Sequence, residues 1–113
     1  MTAANQAPYR TQARIIKALA HPTRLFIVDE LSRGERCVCD LTDMIGVEMP
    51  TVSRHLRQLK NAGILQDEKR GSQVFYSLRV PCVVNFFKCV EAVQSTQCKL
   101  AKRIGTRDMA CAL

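Results

Sequence analysis

The 113-residue sequence lacks a long apolar run, internal repeats and low-complexity tracts. No stretch approaches the roughly 20 apolar residues that a membrane-spanning helix needs. The first ten residues, MTAANQAPYR, also lack the apolar core of a secretion signal. Hydrophobic residues make up 47% of the chain, which is typical of a globular protein and excludes a disordered composition. We therefore expect one domain by size, located in the cytoplasm and without a membrane partner.

The missing secretion signal decides how the six cysteines are interpreted. A disulfide scaffold requires an oxidising compartment, so we expect free thiols. The sequence also lacks a Cys-x-x-Cys motif, an alternating strand–helix pattern and a histidine convincingly paired with a nucleophile. These absences make a small thiol enzyme a remote alternative, and we expect no organic cofactor.

Acidic residues are scarce in two regions of this basic chain, whose formal net charge is +7. Residues 49–79 contain six Lys or Arg against two acids, and residues 1–24 contain four basic residues and no acid. Such clustering favours a polyanionic partner, double-stranded DNA above all. The alternative is a solvated basic face without a partner.

Apolar periodicity and capping signals predict five helices and one hairpin. An apolar stripe predicts the first helix, and Pro22 predicts the start of the second. Asp40 is the predicted cap of the third helix, and Gly46 the predicted turn after it. Pro81 predicts the start of the last helix. The predicted bounds are helices at Tyr9–Ala20, Pro22–Ser32, Asp40–Ile45, Pro50–Asn61 and Pro81–Arg103, and strands at Ile64–Asp67 and Gln73–Leu78 around a basic tip, Lys69–Ser72.

This order of elements is that of a winged helix-turn-helix, a mainly α fold with a small β-hairpin. The turn at residues 46–49 has the right length to set two helices at a steep angle. We expect residues 1–8 to form a disordered arm, residues 9–103 to form the DNA-binding and dimerisation domain, and residues 104–113 to form a basic tail.

The fourth helix carries the predicted DNA-reading face. In a helix-turn-helix the second helix enters the major groove, and hydroxyls and arginines near its N-terminus reach base edges. Cations further along the helix and on the wing are better placed for phosphates. Packing against the preceding turn is the alternative role for His55. The candidate DNA-binding residues are Thr51, Ser53, Arg54, His55, Arg57, Lys60, Lys69 and Arg70.

Four segments of the sequence, in their order and their spacing, resemble the arsenical-resistance/metallothionein repressor family (ArsR/SmtB). The resemblance is nearest to the members that carry a Cys-Val-Cys-Asp motif. The resemblance spans about residues 10 to 80. It implies a homodimeric repressor that releases operator DNA when a metal or metalloid binds. The matching segments are Ala18–Leu25, Cys37–Leu41, Pro50–Leu56 and Leu59–Leu65.

The sequence departs from this family in three places. Arsenic-sensing members can carry a third cysteine where Thr42 stands here. Cadmium- and lead-sensing relatives add cysteines from an N-terminal arm, and residues 1–8 contain none. The zinc site of other members uses histidines on the last helix, which has no histidine here, so we reject that site.

Cys37 and Cys39 are the candidate inducer ligands. On a helix, the side chains of residues i and i+2 point in different directions. In an extended segment they lie on the same side, so the two sulfurs could converge on one ion. The predicted Asp40 cap places both cysteines in such a segment before the third helix. Soft thiolates select thiophilic ions, with trivalent arsenic or antimony as the best guess and cadmium, lead or zinc as alternatives. Two incidental core cysteines are the other interpretation.

Trivalent arsenic prefers three sulfurs, so we expect a third thiol from the C-terminal region. Cys82 and Cys89 align with Phe86 on one apolar stripe of the last helix, which favours packing at a dimer interface. Cys98 or Cys111 is therefore the tentative third ligand, in a site that could bridge two subunits.

A redox- or persulfide-sensing repressor on the same fold is the main alternative. In that case two thiols would couple covalently rather than bind an ion. The sequence names neither the inducer nor the operator, and it leaves the roles of Cys82 and Cys89 open.

Overall fold

The computed structural model describes residues 2–103, which form five helices and three strands in two compact units. The first unit ends at Pro81 and contains every element except the last helix. The elements are α1 (Ala3–Leu19), α2 (Pro22–Leu31), β1 (Arg36–Cys37), α3 (Val38–Ile45), α4 (Met49–Asn61), β2 (Leu65–Arg70), β3 (Gln73–Leu78) and α5 (Val83–Arg103).

The N-terminus differs from the expected disordered arm, because α1 begins at Ala3. Thr2 is extended and its side chain accepts a hydrogen bond from the backbone N–H of Asn5, which caps the helix. Pro8 lies within this helix. Residues 2–8 carry no apolar stripe, so the sequence alone did not indicate that the helix begins before Tyr9. The expected basic tail at residues 104–113 lies outside the described residues.

The core of the first unit lies where α2, α3 and α4 meet the sheet. The apolar sequence of α2 predicts a helix buried on all sides, which is wrong in part: Ile27, Val28 and Leu31 are buried, but Leu25 and Phe26 are exposed. The inward positions expected for α4 are confirmed as well, since Val52, Leu56 and Leu59 have no exposed surface. These buried side chains fix the orientation of α4, and so decide which of its residues face outward.

The sheet has three antiparallel strands in the order β1-β3-β2. The β2–β3 hairpin was expected, but β1 was not. The basic tip was placed wrongly: β2 continues through Arg70, and only Gly71 and Ser72 form the turn. Gly71 has a φ of 63°, which glycine adopts readily, so two residues suffice to reverse the chain.

The start of α3 corrects the proposed Asp40 cap. Cys37 is the N-cap, in an extended conformation, and its Sγ accepts the backbone N–H of Asp40 at 3.3 Å. Asp40 lies in the first turn of α3, where its charge favours the helix dipole. Because the helix begins at Val38, only Cys37 lies in the extended segment and Cys39 belongs to the helix. Gly46 ends the helix in the left-handed conformation, as expected.

The second unit contains α5, which begins at Val83 rather than at Pro81. Apolar side chains along this helix are exposed, among them Phe86, Val90 and Val93. Cys82 and Cys89 are free thiols and are exposed too.

Among the residues that the structure describes, no helix is long and apolar enough to cross a membrane.

Candidate functional site

The outward face of α4 presents the side chains that the sequence analysis assigned to DNA. Arg54 and Arg57 are exposed, and Thr51, Ser53 and His55 are half-buried along the edges of the helix. This arrangement follows from the burial of Val52 and Leu56, which turns the opposite side of the helix outward. The structure therefore supplies an exposed cationic helix face of the kind that enters a major groove.

The turn between α3 and α4 sets the position of that face. Gly46 has a φ of 78°, and the chain passes through Val47 and Glu48 before α4 starts at Met49. Glu48 is the N-cap of α4 but makes no side-chain capping hydrogen bond. Glu is not among the residues that favour the N-cap position, which agrees with this absence. The N–H groups of Thr51 and Val52 donate instead to the backbone oxygen of Glu48.

His55 belongs to a cluster that the sequence analysis did not foresee. Its Nδ1 accepts a hydrogen bond from Arg24 Nε at 3.1 Å, and its ring lies 4.5 Å from the ring of His21. Burial lowers the pKa of His55 below 6.5, and electrostatic interaction with His21, Arg24 and Arg54 lowers it further. His55 thus packs α4 against α2 as a neutral ring, which supports the packing role considered for it. Its Nε2 N–H remains a donor that could contact DNA.

Acidification should destabilise the fold through His55. The unfolded chain protonates this histidine near pH 6.5, whereas the folded protein keeps it neutral to a lower pH. The stabilisation is therefore fully present above about pH 6.5 and declines as the pH falls below it. Thermal unfolding between about pH 7.5 and pH 5.5 should show a falling melting temperature.

The matched variant for this experiment is His55→Gln, whose amide oxygen can still accept from Arg24. It should flatten the decline over that pH range. A hydrogen bond from Arg70 lowers the pKa of Glu35, so any stabilisation by this carboxylate is lost only below about pH 4.5, outside the range of the experiment. A wild-type melting temperature that rises on acidification toward pH 5.5 would contradict this assignment of His55.

Two of the predicted phosphate-binding cations are paired with acids inside the chain. Lys60 Nζ lies 3.0 Å from a carboxylate oxygen of Asp67. Arg70 donates to both carboxylate oxygens of Glu35, at 2.6 and 3.1 Å, and to Glu68 at 2.8 Å. Exposed pairs of this kind contribute little stability, so a phosphate could displace the carboxylates at small cost.

Three other predicted DNA contacts keep their charge uncompensated. Within residues 2–103, the ion pairs do not include Arg54, Arg57 or Lys69. Lys69 is exposed on β2 opposite Val74, so it lies in the strand and not in the hairpin turn. Together these three cations form the candidate DNA surface.

The two candidate inducer ligands differ in accessibility. The Cys37 side chain is 5% exposed and acts as the cap of α3, whereas Cys39 is exposed on the first turn of that helix. Both are free thiols. In the described part of the chain, no group of three or more His, Cys, Asp or Glu is placed to hold a metal ion. The pair therefore offers two sulfurs, which fits a thiophilic ion only if another donor joins them.

The tentative third thiol is not tested by this arrangement. Cys98 lies on α5 and is disulfide-bonded, which corrects the expectation of free thiols throughout, so it could bind an ion only after reduction. Cys111 lies outside the described residues. A third sulfur from either cysteine stays a prediction.

The short strand β1 joins the segment that carries Cys37 to the β2–β3 hairpin, which is the wing. The sequence did not indicate this connection. Cys37 pairs with Phe75 of β3, and Arg36 pairs with Tyr76. Glu35, just before β1, binds Arg70, whose guanidinium lies 4.7 Å from the Phe75 ring centroid. Two residues are too few to show a strand pattern, so only the three-dimensional structure reveals that Cys37 touches both α3 and the wing.

A helix–turn–helix followed by a hairpin wing defines the architecture of winged helix-turn-helix regulators. The sequence model of the bacterial regulatory protein arsR family matches residues 21–67. An arsenic resistance transcriptional regulator of Pseudomonas putida is 45% identical over 65 residues, which are 57% of this chain and 51% of that protein. A transcriptional regulator of Methanocaldococcus jannaschii is 39% identical over 84 residues, 74% of this chain and 94% of that protein.

A solved structure agrees with these relatives. The homodimeric winged helix-turn-helix DNA-binding domain of a possible ArsR-family regulator from Mycobacterium bovis has a TM-score of 0.73 at 30% identity. The match covers 84% of this chain and 88% of that chain. The chain belongs to the arsR family of bacterial regulatory proteins. The members of this family are transcriptional regulators. The chain spans about half the length of the first curated relatives it matches.

Proposed function

We propose that this protein is a cytoplasmic transcriptional repressor that binds operator DNA as a homodimer and releases it when Cys37 and Cys39 bind a thiophilic inducer. The observation that carries the proposal is the position of Cys37. This residue caps α3, which packs directly against the DNA-reading helix α4, and also pairs with the wing strand β3. Cys37 is therefore joined to the two elements, α3 and β3, that adjoin the reading helix α4 and the wing strand β2.

The cap explains how ligation would weaken DNA binding. The Sγ of Cys37 accepts the N–H of Asp40 in the free protein. An ion bound to this buried sulfur would compete for its lone pairs and draw it toward the exposed Cys39. Both changes would disturb the first turn of α3, and with it the angle between α3 and α4. Ligation would then disfavour the DNA-bound arrangement, as a two-state coupling requires.

The homodimer is supported by the exposed apolar residues of α5 and by a solved relative that is a homodimer. A two-fold dimer would present two recognition helices to an inverted repeat, with half-sites about one helical turn apart. It would also let one subunit supply a ligand to the other.

Trivalent arsenic or antimony is our best assignment for the inducer. The first support is chemical, since thiolates with few accompanying oxygen or nitrogen donors select soft ions. The second is the likeness to an arsenic resistance regulator, which is 45% identical over 65 residues. The Cys-Val-Cys-Asp stretch, Cys37 to Asp40, supports this assignment by its resemblance to the motif of thiol-sensing members of the family. Cadmium, lead and zinc are the other soft ions to compare.

DNA binding is tested by comparing an inverted-repeat operator with random duplex at physiological salt. The uncompensated cations of α4 should give specific binding about a thousandfold tighter than non-specific binding, or more. Equal affinity for operator and random DNA would contradict the proposal.

A third thiol from the C-terminal region completes the predicted site. Single serine variants at Cys82, Cys89, Cys98 and Cys111, each loaded with arsenite, should be compared by X-ray absorption and operator release. One of them, at Cys98 or Cys111, should lose a sulfur from the coordination shell and weaken induction. Full three-sulfur coordination and induction in all four variants would show that the third ligand is exogenous, or that the protein supplies only two thiols.

Redox sensing is the second candidate function, because Cys37 and Cys39 are both free and two residues apart. Mild oxidation followed by intact-mass measurement separates it from ion sensing. A loss of two hydrogens that also abolishes operator binding would favour the redox sensor.

A further inference from the structure

Four cations near the N-terminus take no part in the proposed function. Arg10, Arg14 and Lys17 recur at spacings of four and three along α1, so they share one face of the helix. Arg24 follows on α2. Residues 1–24 contain no acid, so nothing nearby in sequence neutralises these charges.

Three of these cations meet at a cavity of about 340 Å³ on the first unit. Its volume is several times the roughly 30 Å³ that one water occupies, which leaves room for a tetrahedral oxyanion and its hydration. No carboxylate lines it. The cavity is lined by Arg14, Lys17, Ala18, Arg24, Gln58, Asn61 and Ala62.

Arg24 is held in place at this cavity by two neutral acceptors. Its Nη1 donates to the backbone oxygen of Ala18 at 3.2 Å, and its Nε donates to His55 Nδ1 at 3.1 Å. Neither acceptor is a carboxylate, so the guanidinium keeps its full charge. A guanidinium has five N–H donors, and the fixed side chain can direct the remaining ones without losing further conformational freedom.

The other cationic residues of the cavity are likewise uncompensated. Among the described residues, the ion pairs do not include Arg14, Lys17 or Arg24. Like charges that line one cavity repel each other, and an anion bound between them relieves that repulsion. Gln58 and Asn61 add amide N–H groups, which are suitable donors to oxygen.

We propose that this cavity between α1, α2 and the C-terminal half of α4 binds a phosphate-class oxyanion. Arg14, Lys17 and Arg24 supply the charge. The amides of Gln58 and Asn61 orient the oxygens. The phosphate can come from the backbone of DNA bound by α4 or from a free anion; only the first source depends on the proposed function. Gln58 supports the DNA source, since it is exposed one turn beyond Arg54 on the reading helix.

The direct test uses inorganic phosphate and the full chain without DNA. Side-chain amide resonances of Gln58 and Asn61 are followed by NMR while phosphate replaces chloride at constant ionic strength. Both should shift, whereas Gln66, which donates to Ser77 on the sheet, should not. Arg14→Gln and Lys17→Gln should each weaken phosphate binding by about tenfold, as the loss of one charged hydrogen bond predicts.

Arg10→Gln is the matched control, because it removes one charge from the same face of α1 but not from the cavity lining. It should leave phosphate binding unchanged. If phosphate does not shift Gln58 and Asn61 beyond the chloride control, or if Arg10→Gln is as damaging as Lys17→Gln, the cavity is not a phosphate site.

Operator DNA then distinguishes the two sources. A backbone phosphate is the ligand if operator suppresses the phosphate-induced shifts and Lys17→Gln lowers the salt slope of operator binding by about 0.9. A free anion is the ligand if phosphate still binds in the operator complex and Lys17→Gln leaves operator affinity unchanged. Phosphate binding by a protein that does not prefer its operator would overturn the proposed function but not this site.

Discussion

Replacing either sensing cysteine by serine should abolish inducer-driven release while leaving operator affinity near wild type. The structure shows why folding should survive. Cys37 acts as an N-cap, a position that serine fills well, and Cys39 is exposed. Without a soft thiolate, however, the inducer loses a ligand. A typical coupling of about 1–3 kcal/mol, or 5–150-fold in operator affinity, should therefore disappear.

The measurement is operator affinity with and without arsenite under reducing conditions, for Cys37→Ser, Cys39→Ser and the double variant. Cys89→Ser is the matched control, because it removes an exposed free thiol from α5 instead. It should retain the response. Normal release by the double variant would show that the sensing thiols lie elsewhere.

Arg54→Ala should weaken operator binding by about 1–3 kcal/mol and flatten the preference at one base position. Arg54 is exposed on α4, and its guanidinium has no acidic partner among the described ion pairs, so it can form a bidentate contact with a guanine. Affinity measured across a set of single-base operator variants would show whether the preference at one position is lost.

Lys69→Ala provides the contrast, since a wing lysine that contacts phosphate positions the protein without reading sequence. It should weaken binding to all operator variants evenly and reduce the salt slope by about 0.9. Arg33→Ala is a suitable control, because Arg33 is paired with Asp29 and Glu30 at the end of α2. A uniform loss in Arg54→Ala, with every base preference intact, would mean that Arg54 contacts only the backbone.

The sequence predicted the reading helix well because its signals are local. Val52, Leu56 and Leu59 recur at helical spacing, so both the extent of α4 and its buried side follow from periodicity. Gly46 and Pro22 mark helix ends by backbone conformation alone, which again needs no tertiary information.

The thiol site was predicted less completely, because its geometry depends on distant residues. The strand β1 is two residues long and exists by pairing with β3, about forty residues further along the chain. That pairing extends the chain only as far as Cys37, where the sulfur replaces the expected Asp40 as cap. Likewise, Arg70 is separated from Glu35 by 35 residues, so no local pattern could show that this wing cation is paired.

The most direct test is the operator affinity of the wild-type protein before and after arsenite, followed by an excess of a competing dithiol. The proposed mechanism predicts that arsenite lowers the affinity by about 5–150-fold and that the dithiol restores it. An affinity that stays unchanged with arsenite, antimonite, cadmium, lead or zinc, and after mild oxidation, would contradict a thiol-controlled repressor.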